Sequence, residues 1–251
     1  MRVFGLIGYP LSHSFSKKYF TEKFEREGVA DCKYELFPIE SIESLPVLLK
    51  EYPQLQGLNV TIPYKESVLL YLTEVSTAVQ DIKACNCIKI SEGAMIGYNT
   101  DVIGFERSLK PLLKPSHKKA LILGTGGAAK AVSWVLKQFD IDYQLVSRKV
   151  GEHVITYEQL TPDVFLQFSL IINTTPVGMQ PNVGQFPSLP YELINQDFLC
   201  YDLIYNPLKT EFLRIAEEKG AVIKNGLEML EIQAEESWNI WNTQTAERFK
   251  K

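Results

Sequence analysis

Ala120-Leu121-Ile122-Leu123-Gly124-Thr125-Gly126-Gly127-Ala128-Ala129 is the stretch whose reading decides the fold. Four apolar residues read as a short buried strand, and the glycines follow at once. Beyond them Ala128, Val132, Val135, Leu136 and Phe139 recur at helical spacing. Strand, glycine turn and helix form the context of a dinucleotide-binding fingerprint. Such a turn lets the backbone approach a pyrophosphate, and the free amides of the helix N-terminus face the phosphate oxygens. Ala129 stands where the generic pattern has its third glycine, an accepted variant. The strand before and the helix after raise this above an ordinary glycine-rich turn.

Outward from that stretch, 251 residues suit two domains. A hydrophobic fraction of 45% supports a true core. The net charge of −4 is spread without a basic block, which argues against a nucleic-acid surface. Cys32, Cys85, Cys87 and Cys200 form no disulfide framework, and Cys85-x-Cys87 lacks a second pair for zinc. Free, buried thiols in a reducing compartment are expected. The N-terminus does not read as a signal peptide, and no stretch has the length of a membrane span. A cytoplasmic protein is expected.

Before the glycine turn, Val3–Ile7 reads as a strand, followed by Ser12-His13-Ser14-Phe15-Ser16 and a helix ending at Gly28. Ser14 or Ser16 suits an N-cap, and hydroxyls clustered at a helix start also suit a carboxylate. Cys32–Phe37 and Leu55–Thr61 read as further strands, with a helix at Leu45–Glu51 between them. Asn59-Val60-Thr61-Ile62-Pro63-Tyr64-Lys65 follows, with Pro63 placed to open a helix. On spacing alone Lys65 is a solvated lysine. Thr73–Ile82 is expected to be helical. Ala84–Ile90 and Ala94–Tyr98 read as a hairpin, with Asn86 as a buried amide that needs partners. Asp101 is expected to cap the helix carrying Val102, Phe105 and Leu109.

After the turn, Tyr143–Val146 is the next strand, and Ser147-Arg148-Lys149 ends it. NAD enzymes carry an acidic side chain here for the ribose hydroxyls. Two cations instead favour a ribose 2′-phosphate, hence NADP. Leu170–Ile172 leads into Asn173-Thr174-Thr175-Pro176-Val177-Gly178, and Phe198–Leu203 into Ile204-Tyr205-Asn206-Pro207. From Gly226 the chain is helical, with Leu227, Leu230, Ala234, Trp238 and Trp241 on one stripe and Gln233 beside it. The alternation predicts an α/β protein with mostly parallel strands.

These motifs, in this order and over almost the whole chain, resemble the shikimate dehydrogenase family. Ser12–Ser16, Asn59–Lys65, Gly97–Phe105, Gly124–Ala129, Asn173–Gly178, Asp202–Pro207 and Gly226–Ala234 carry the resemblance. Cys87, Ser147 and Pro176 depart from the family's usual threonine, asparagine and serine. The resemblance implies an α/β substrate-binding domain at 1–110, completed by a C-terminal helix at 226–251. It implies a Rossmann-like NADP-binding domain at 111–225. It further implies reversible reduction of 3-dehydroshikimate to shikimate, a step of aromatic amino-acid and chorismate biosynthesis.

By the same resemblance, Lys65 and Asp101 are catalytic and flank the reacting oxygen. Ser14 and Ser16 hold the substrate carboxylate with Tyr205 close by, and Asn59, Thr61, Asn86 and Gln233 complete the substrate site. Gly124, Thr125, Gly126, Gly127, Ala128, Ser147, Arg148, Lys149 and Thr175 hold NADP, with Leu203 and Gly226 near the nicotinamide. No metal is called for. The expected partners are the small-molecule substrate, with neither nucleic acid nor membrane, in a monomer or homodimer. A quinate/shikimate dehydrogenase of broader choice and a non-catalytic binding protein of this fold are the alternatives.

Overall fold

A computed structural model describes residues 1–11 and 15–243. The chain divides into two compact units, Met1–Thr100 together with the chain from Gln233 on, and Asp101–Ile232. The division falls inside helices α4 (Thr100–Leu109) and α8 (Leu227–Asn242).

The first unit holds β1 (Arg2–Gly8), α1 (Phe15–Glu27), β2 (Cys32–Pro38), α2 (Leu45–Glu51) and β3 (Leu55–Val60). It continues with β4 (Glu74–Val75), α3 (Thr77–Ile82), β5 (Cys87–Ser91) and β6 (Ala94–Tyr98). The sheet order is β2-β1-β3-β5-β6-β4. Strand β1 pairs in parallel with β2 and β3, while β5 runs antiparallel to β3 and β6. One face packs an apolar core around Val3, Leu45, Leu58, Val68 and Ile88. The other is aromatic. Phe4 stacks on Trp241 at 4.8 Å, Phe20 stacks on Tyr34 at 4.6 Å, and Trp241 Nε1 donates to the Ile88 carbonyl at 3.0 Å. Buried indole and ring area of this kind is the strongest packing term available to a small unit. It fixes the last two turns of α8 to the sheet. Lys23, almost wholly buried on α1, adds an ion pair to Glu235 of α8 at 2.8 Å.

The second unit holds β7 (Lys119–Leu123), α5 (Gly127–Gln138), β8 (Asp142–Ser147), β9 (Val154–Thr156), α6 (Pro162–Phe165) and β10 (Leu170–Asn173). It ends with β11 (Leu199–Asp202), α7 (Glu211–Glu218) and β12 (Val222–Lys224). All of its strand pairs are parallel, in the order β12-β11-β10-β7-β8-β9. The order reverses between β7 and β10, which makes the gap beyond their C-terminal ends the switch point where open α/β sheets bind ligands. Leu121, Ile171 and Cys200 are fully buried beneath it.

Several expectations need correction. Pro63 opens no helix: Tyr64 N closes a turn on Thr61 O, and a 3₁₀ segment begins only at Ser67. Thr73–Ile82 is helical only from Thr77, because Thr73 N and Ser76 N bond to Met95 O and Gly97 O and draw residues 74–75 into the sheet. Ser16 lies inside α1 and does not cap it. Asp101 lies inside the first turn of α4, which opens at Thr100, so it is not the cap either. The first sheet is mixed, with β3–β5 and β5–β6 antiparallel, whereas the sheet after the glycine turn is wholly parallel, as expected. All four cysteines are free and buried, as expected.

Candidate active site

In the first unit, Asn59 is a buried amide one residue before the end of β3. Its Oδ1 accepts from Tyr34 Oη at 2.8 Å, and its Nδ2 donates to Ser237 Oγ at 2.9 Å. Burial pushes the Tyr34 hydroxyl well above its ordinary range, and the Ser16 hydroxyl, bonded to it, offsets part of that shift. Asn86 sits at the entrance to β5 and not within the strand. Its Oδ1 accepts the Thr100 amide at 2.6 Å, while its Nδ2 donates to Thr100 Oγ1 at 3.0 Å and Gln233 Oε1 at 3.3 Å. Ser237 Oγ donates back to the Gln233 carbonyl at 2.9 Å. Asn59, Asn86, Gln233 and Ser16 therefore belong to one bonded group, which also contains Tyr34, Thr100 and Ser237. A network satisfied in this way is rigid, because each member would be costly to leave unpaired.

Two backbone bonds lace the Asn59–Lys65 segment to this group: Val60 N to Asn86 O at 2.9 Å and Cys85 N to Lys65 O at 2.7 Å. Lys65 and Thr61 are half-buried. Thr61 is held through its amide to Ile7 O at 3.0 Å. Ser14 lies outside the described residues.

In the second unit, Gly124 follows β7 with φ +108°, a left-handed conformation that favours glycine, and a Cβ there would lie 2.7 Å from Thr174 Oγ1. Thr174 in turn donates through N and Oγ1 to Leu123 O at 2.9 and 2.6 Å, closing the turn across the switch point. Over Gly126 and Gly127 the space is open: a Cβ on either would meet nothing within 4 Å. Gly126 is the N-cap of α5 and supplies no capping side chain. Thr125 is exposed and Ala128 half-buried at the same helix start. An open first turn with its amides uncapped by a side chain is the shape a pyrophosphate requires. Ser147 ends β8, and Arg148 and Lys149 stand exposed beyond it without a carboxylate in that position. These residues fit a dinucleotide bearing a further phosphate on its adenosine end.

At the C-terminal ends of β10 and β11, Asn173 and Asp202 are register partners, and both are fully buried. Asp202 Oδ1 accepts from Asn173 Nδ2 and from Ile204 N, each at 3.0 Å, and its Oδ2 accepts from Thr210 Oγ1 at 2.6 Å. Desolvation raises the Asp202 carboxyl to about 6, against those three bonds, which lower it. Asn173 Oδ1 accepts from Thr175 N at 3.0 Å and Thr175 Oγ1 at 2.6 Å. Leu203 N donates to Asn173 O and Gly226 N to Ile204 O, both at 3.0 Å. Thr175, Leu203 and Gly226 thus lie on turns that one buried network connects. Tyr205, half-buried on the same segment, has its hydroxyl raised by burial. Asp101 is half-buried in the first turn of α4.

Sequence reasoning assigned no role to Tyr34, Thr100, Ser237, Asn173, Asp202 or Thr210. Ser237 was findable, one helical turn after Gln233 on the same face. Tyr34 was signalled only by an aromatic in an alternating strand, which carries no functional message. Among the described residues, no group of three or more His, Cys, Asp and Glu could hold a metal, and no helix is long and apolar enough to cross a membrane.

A parallel sheet in this order, a glycine turn at its switch point and a basic strand end define an α/β dehydrogenase of the nicotinamide-dinucleotide class. Residues 6–88 match the model of the shikimate dehydrogenase substrate-binding domain. The chain is 38% identical to the NADP(+) shikimate dehydrogenase of Carboxydothermus hydrogenoformans, covering 94% of this chain and 90% of that protein. It belongs to the shikimate dehydrogenase family. Among solved structures, shikimate dehydrogenase 1 of Peptoclostridium difficile is 39% identical with a TM-score of 0.81, over 96% of this chain and 91% of that one. Shikimate 5-dehydrogenase of Thermus thermophilus, in complex with NADP(H) and shikimate, is 33% identical with a TM-score of 0.83, over 96% of this chain and 94% of that one.

Proposed function

We propose that this chain catalyses the NADP-dependent, reversible reduction of 3-dehydroshikimate to shikimate, with the first unit binding substrate and the second binding cofactor. The observation that carries the reading is the bonded group of Asn59, Asn86, Gln233 and Ser16 in a chain of this family. It presents amides and hydroxyls, the chemistry that recognises a polyhydroxylated ring acid. Thr61, Asn86 and Gln233 bind ring hydroxyls, with Asn59 holding Asn86 in place. Ser14 and Ser16 take the carboxylate, and Tyr205 is a further substrate-binding residue.

Gly124, Thr125, Gly126, Gly127 and Ala128 hold the pyrophosphate. Ser147, Arg148 and Lys149 take the adenosine end with its 2′-phosphate. Thr175, Leu203 and Gly226 take the nicotinamide side. When bound, NADPH supplies the hydride. Reduction of a ketone also needs a proton on oxygen. Lys65 polarises the carbonyl as an ammonium and then gives that proton to the developing alkoxide. In the reverse direction the neutral amine takes it back. Asp101 accepts a hydrogen bond from a substrate hydroxyl. The reading carries with it a cytoplasmic monomer or homodimer without a nucleic-acid partner.

The test is a spectrophotometric assay at 340 nm of shikimate and quinate with NADP and NAD. Turnover of shikimate with NADP, well above every other pair, is expected. Equal turnover of quinate would place the chain with the broader quinate/shikimate enzymes. Binding of shikimate without turnover would make it a non-catalytic binding protein.

A further inference from the structure

Asp202 is the one fully buried carboxylate of the second unit among the described residues, and the reaction above makes no use of it. Burying a carboxylate without a cationic partner is costly, so its three donors carry the whole compensation. Those donors come from separate places: Asn173 at the end of β10, Ile204 in the turn after β11, and Thr210 at the start of α7. Asn173 passes the constraint on, since its Oδ1 takes both the amide and the hydroxyl of Thr175, whose Oγ1 in turn accepts Val177 N at 3.3 Å. Thr210 does two things at once, donating to Asp202 and accepting Leu213 N at 3.4 Å as the α7 cap.

We infer that Asp202 is a positioning residue for the cofactor: it holds Thr175 through Asn173, and holds the Leu203–Ile204 turn directly, so that both turns meet the nicotinamide end in one fixed geometry. The inference rests on the functional reading above. Its physical basis is that binding groups moved out of place lose part of their contact with the ligand even though their own chemistry is unchanged. A carboxylate suits this place because Oδ1 can accept two N–H donors while Oδ2 accepts the hydroxyl. Asparagine keeps the first pair, and its Nδ2 can donate to Thr210 Oγ1 in place of the third bond. Alanine keeps none.

The experiment is a fluorescence titration of NADPH and of NADH, without substrate, against wild type, Asp202→Ala, Asp202→Asn and Thr210→Val, each with a thermal unfolding curve. Asp202→Ala should bind both cofactors roughly ten-fold more weakly, the effect of one lost hydrogen bond. The ratio of NADPH to NADH affinity should not change, because the 2′-phosphate is bound elsewhere. Asp202→Asn should stay within about three-fold of wild type. If Asp202→Ala does not fold, Thr210→Val, which removes the donor to Oδ2 along with the α7 cap, should weaken both cofactors several-fold. A folded Asp202→Ala or Thr210→Val with wild-type affinity overturns the inference, leaving Asp202 a purely structural group that moves only the melting temperature. A loss confined to NADPH overturns it too. Wild type that binds neither cofactor overturns the functional reading and this inference with it.

Discussion

A methyl group on Gly226 would stand 2.0 Å from the carbonyl oxygen of Leu203 and 2.5 Å from its carbon. Both obstacles are backbone, which cannot rotate aside. Gly226→Ala must therefore push the start of α8 away from the turn after β11. Overpacking of this kind costs about 1–3 kcal/mol, so the melting temperature should fall by several degrees. If the displaced turn serves the nicotinamide end, as proposed, NADPH and NADH should weaken together. Wild-type affinity for both, with only the melting temperature lowered, would remove Gly226 and Leu203 from the cofactor site.

Tyr34→Phe tests the other unit. The ring keeps its stacking on Phe20, but Asn59 Oδ1 loses its donor and the Ser16 hydroxyl loses a partner. An unpaired buried acceptor costs about 1–3 kcal/mol. The KM for shikimate should rise several-fold, and the KM for NADPH should not move. An unchanged shikimate KM would mean that this network holds the sheet together without shaping the substrate site.

How far the sequence revealed this can be judged from particular residues. The glycine turn was legible because its signals are local: four apolar residues, Gly124, then an amphipathic helix. The resemblance supplied Asn59, Asn86 and Gln233 as site residues, but not the group that joins them. That group depends on α8 docking beside β3 and β5 through Trp241 and Ile88, a contact between residues 153 positions apart. Residues 74–75 misled for the same kind of reason. Their helical pattern is real, but pairing with β6 offers the backbone more bonds than an isolated turn of helix does. Asp202 was quoted within a motif and given no role. A lone acid at the end of an apolar strand says nothing about which donors will converge on it.

Arg148→Ala addresses the choice of cofactor. A charge-assisted hydrogen bond contributes about 1.5–3 kcal/mol, so NADPH should weaken by roughly one to two orders of magnitude. NADH, lacking the phosphate, should change little. Equal losses for the two would mean that Arg148 does not read the 2′-phosphate.

Two buried groups contribute to the pH dependence of stability, with opposite signs. Burial raises Asp202 from 3.8 to about 6, so between those values the folded state holds the proton that the unfolded state has lost. Its contribution is fully present below about pH 4 and is lost as pH rises through 6. His117, almost wholly buried, is shifted below 6.5 by desolvation, so its contribution is present above 6.5 and is lost as pH falls through its folded value. Asp202→Asn removes the first of these. Its stability relative to wild type should therefore rise between pH 4 and pH 7, by up to about 3 kcal/mol at the linkage rate of 1.36 kcal/mol per unit. Urea denaturation of both proteins across that range measures it. A flat difference would show that Asp202 does not titrate there.

In the proposed mechanism the chemical step turns on Lys65, whose carbonyl is pinned by Cys85 N at 2.7 Å while its side chain stays half-buried. Lys65→Met keeps most of the stem and removes both the charge and the proton. If Lys65 is the general acid, kcat should fall by roughly 10²–10⁴. Cofactor binding should be nearly unchanged, since the glycine turn belongs to the other unit. Shikimate binding should weaken much less than kcat falls, because the proton is transferred only in the transition state and uniform binding is not what the ammonium supplies. Asp101→Asn keeps the shape of its side chain and loses the charge, so kcat should fall there as well. A loss in Lys65→Met confined to KM would make Lys65 a binding residue. Near-normal kcat and KM together would return it to a solvated lysine and require another proton donor.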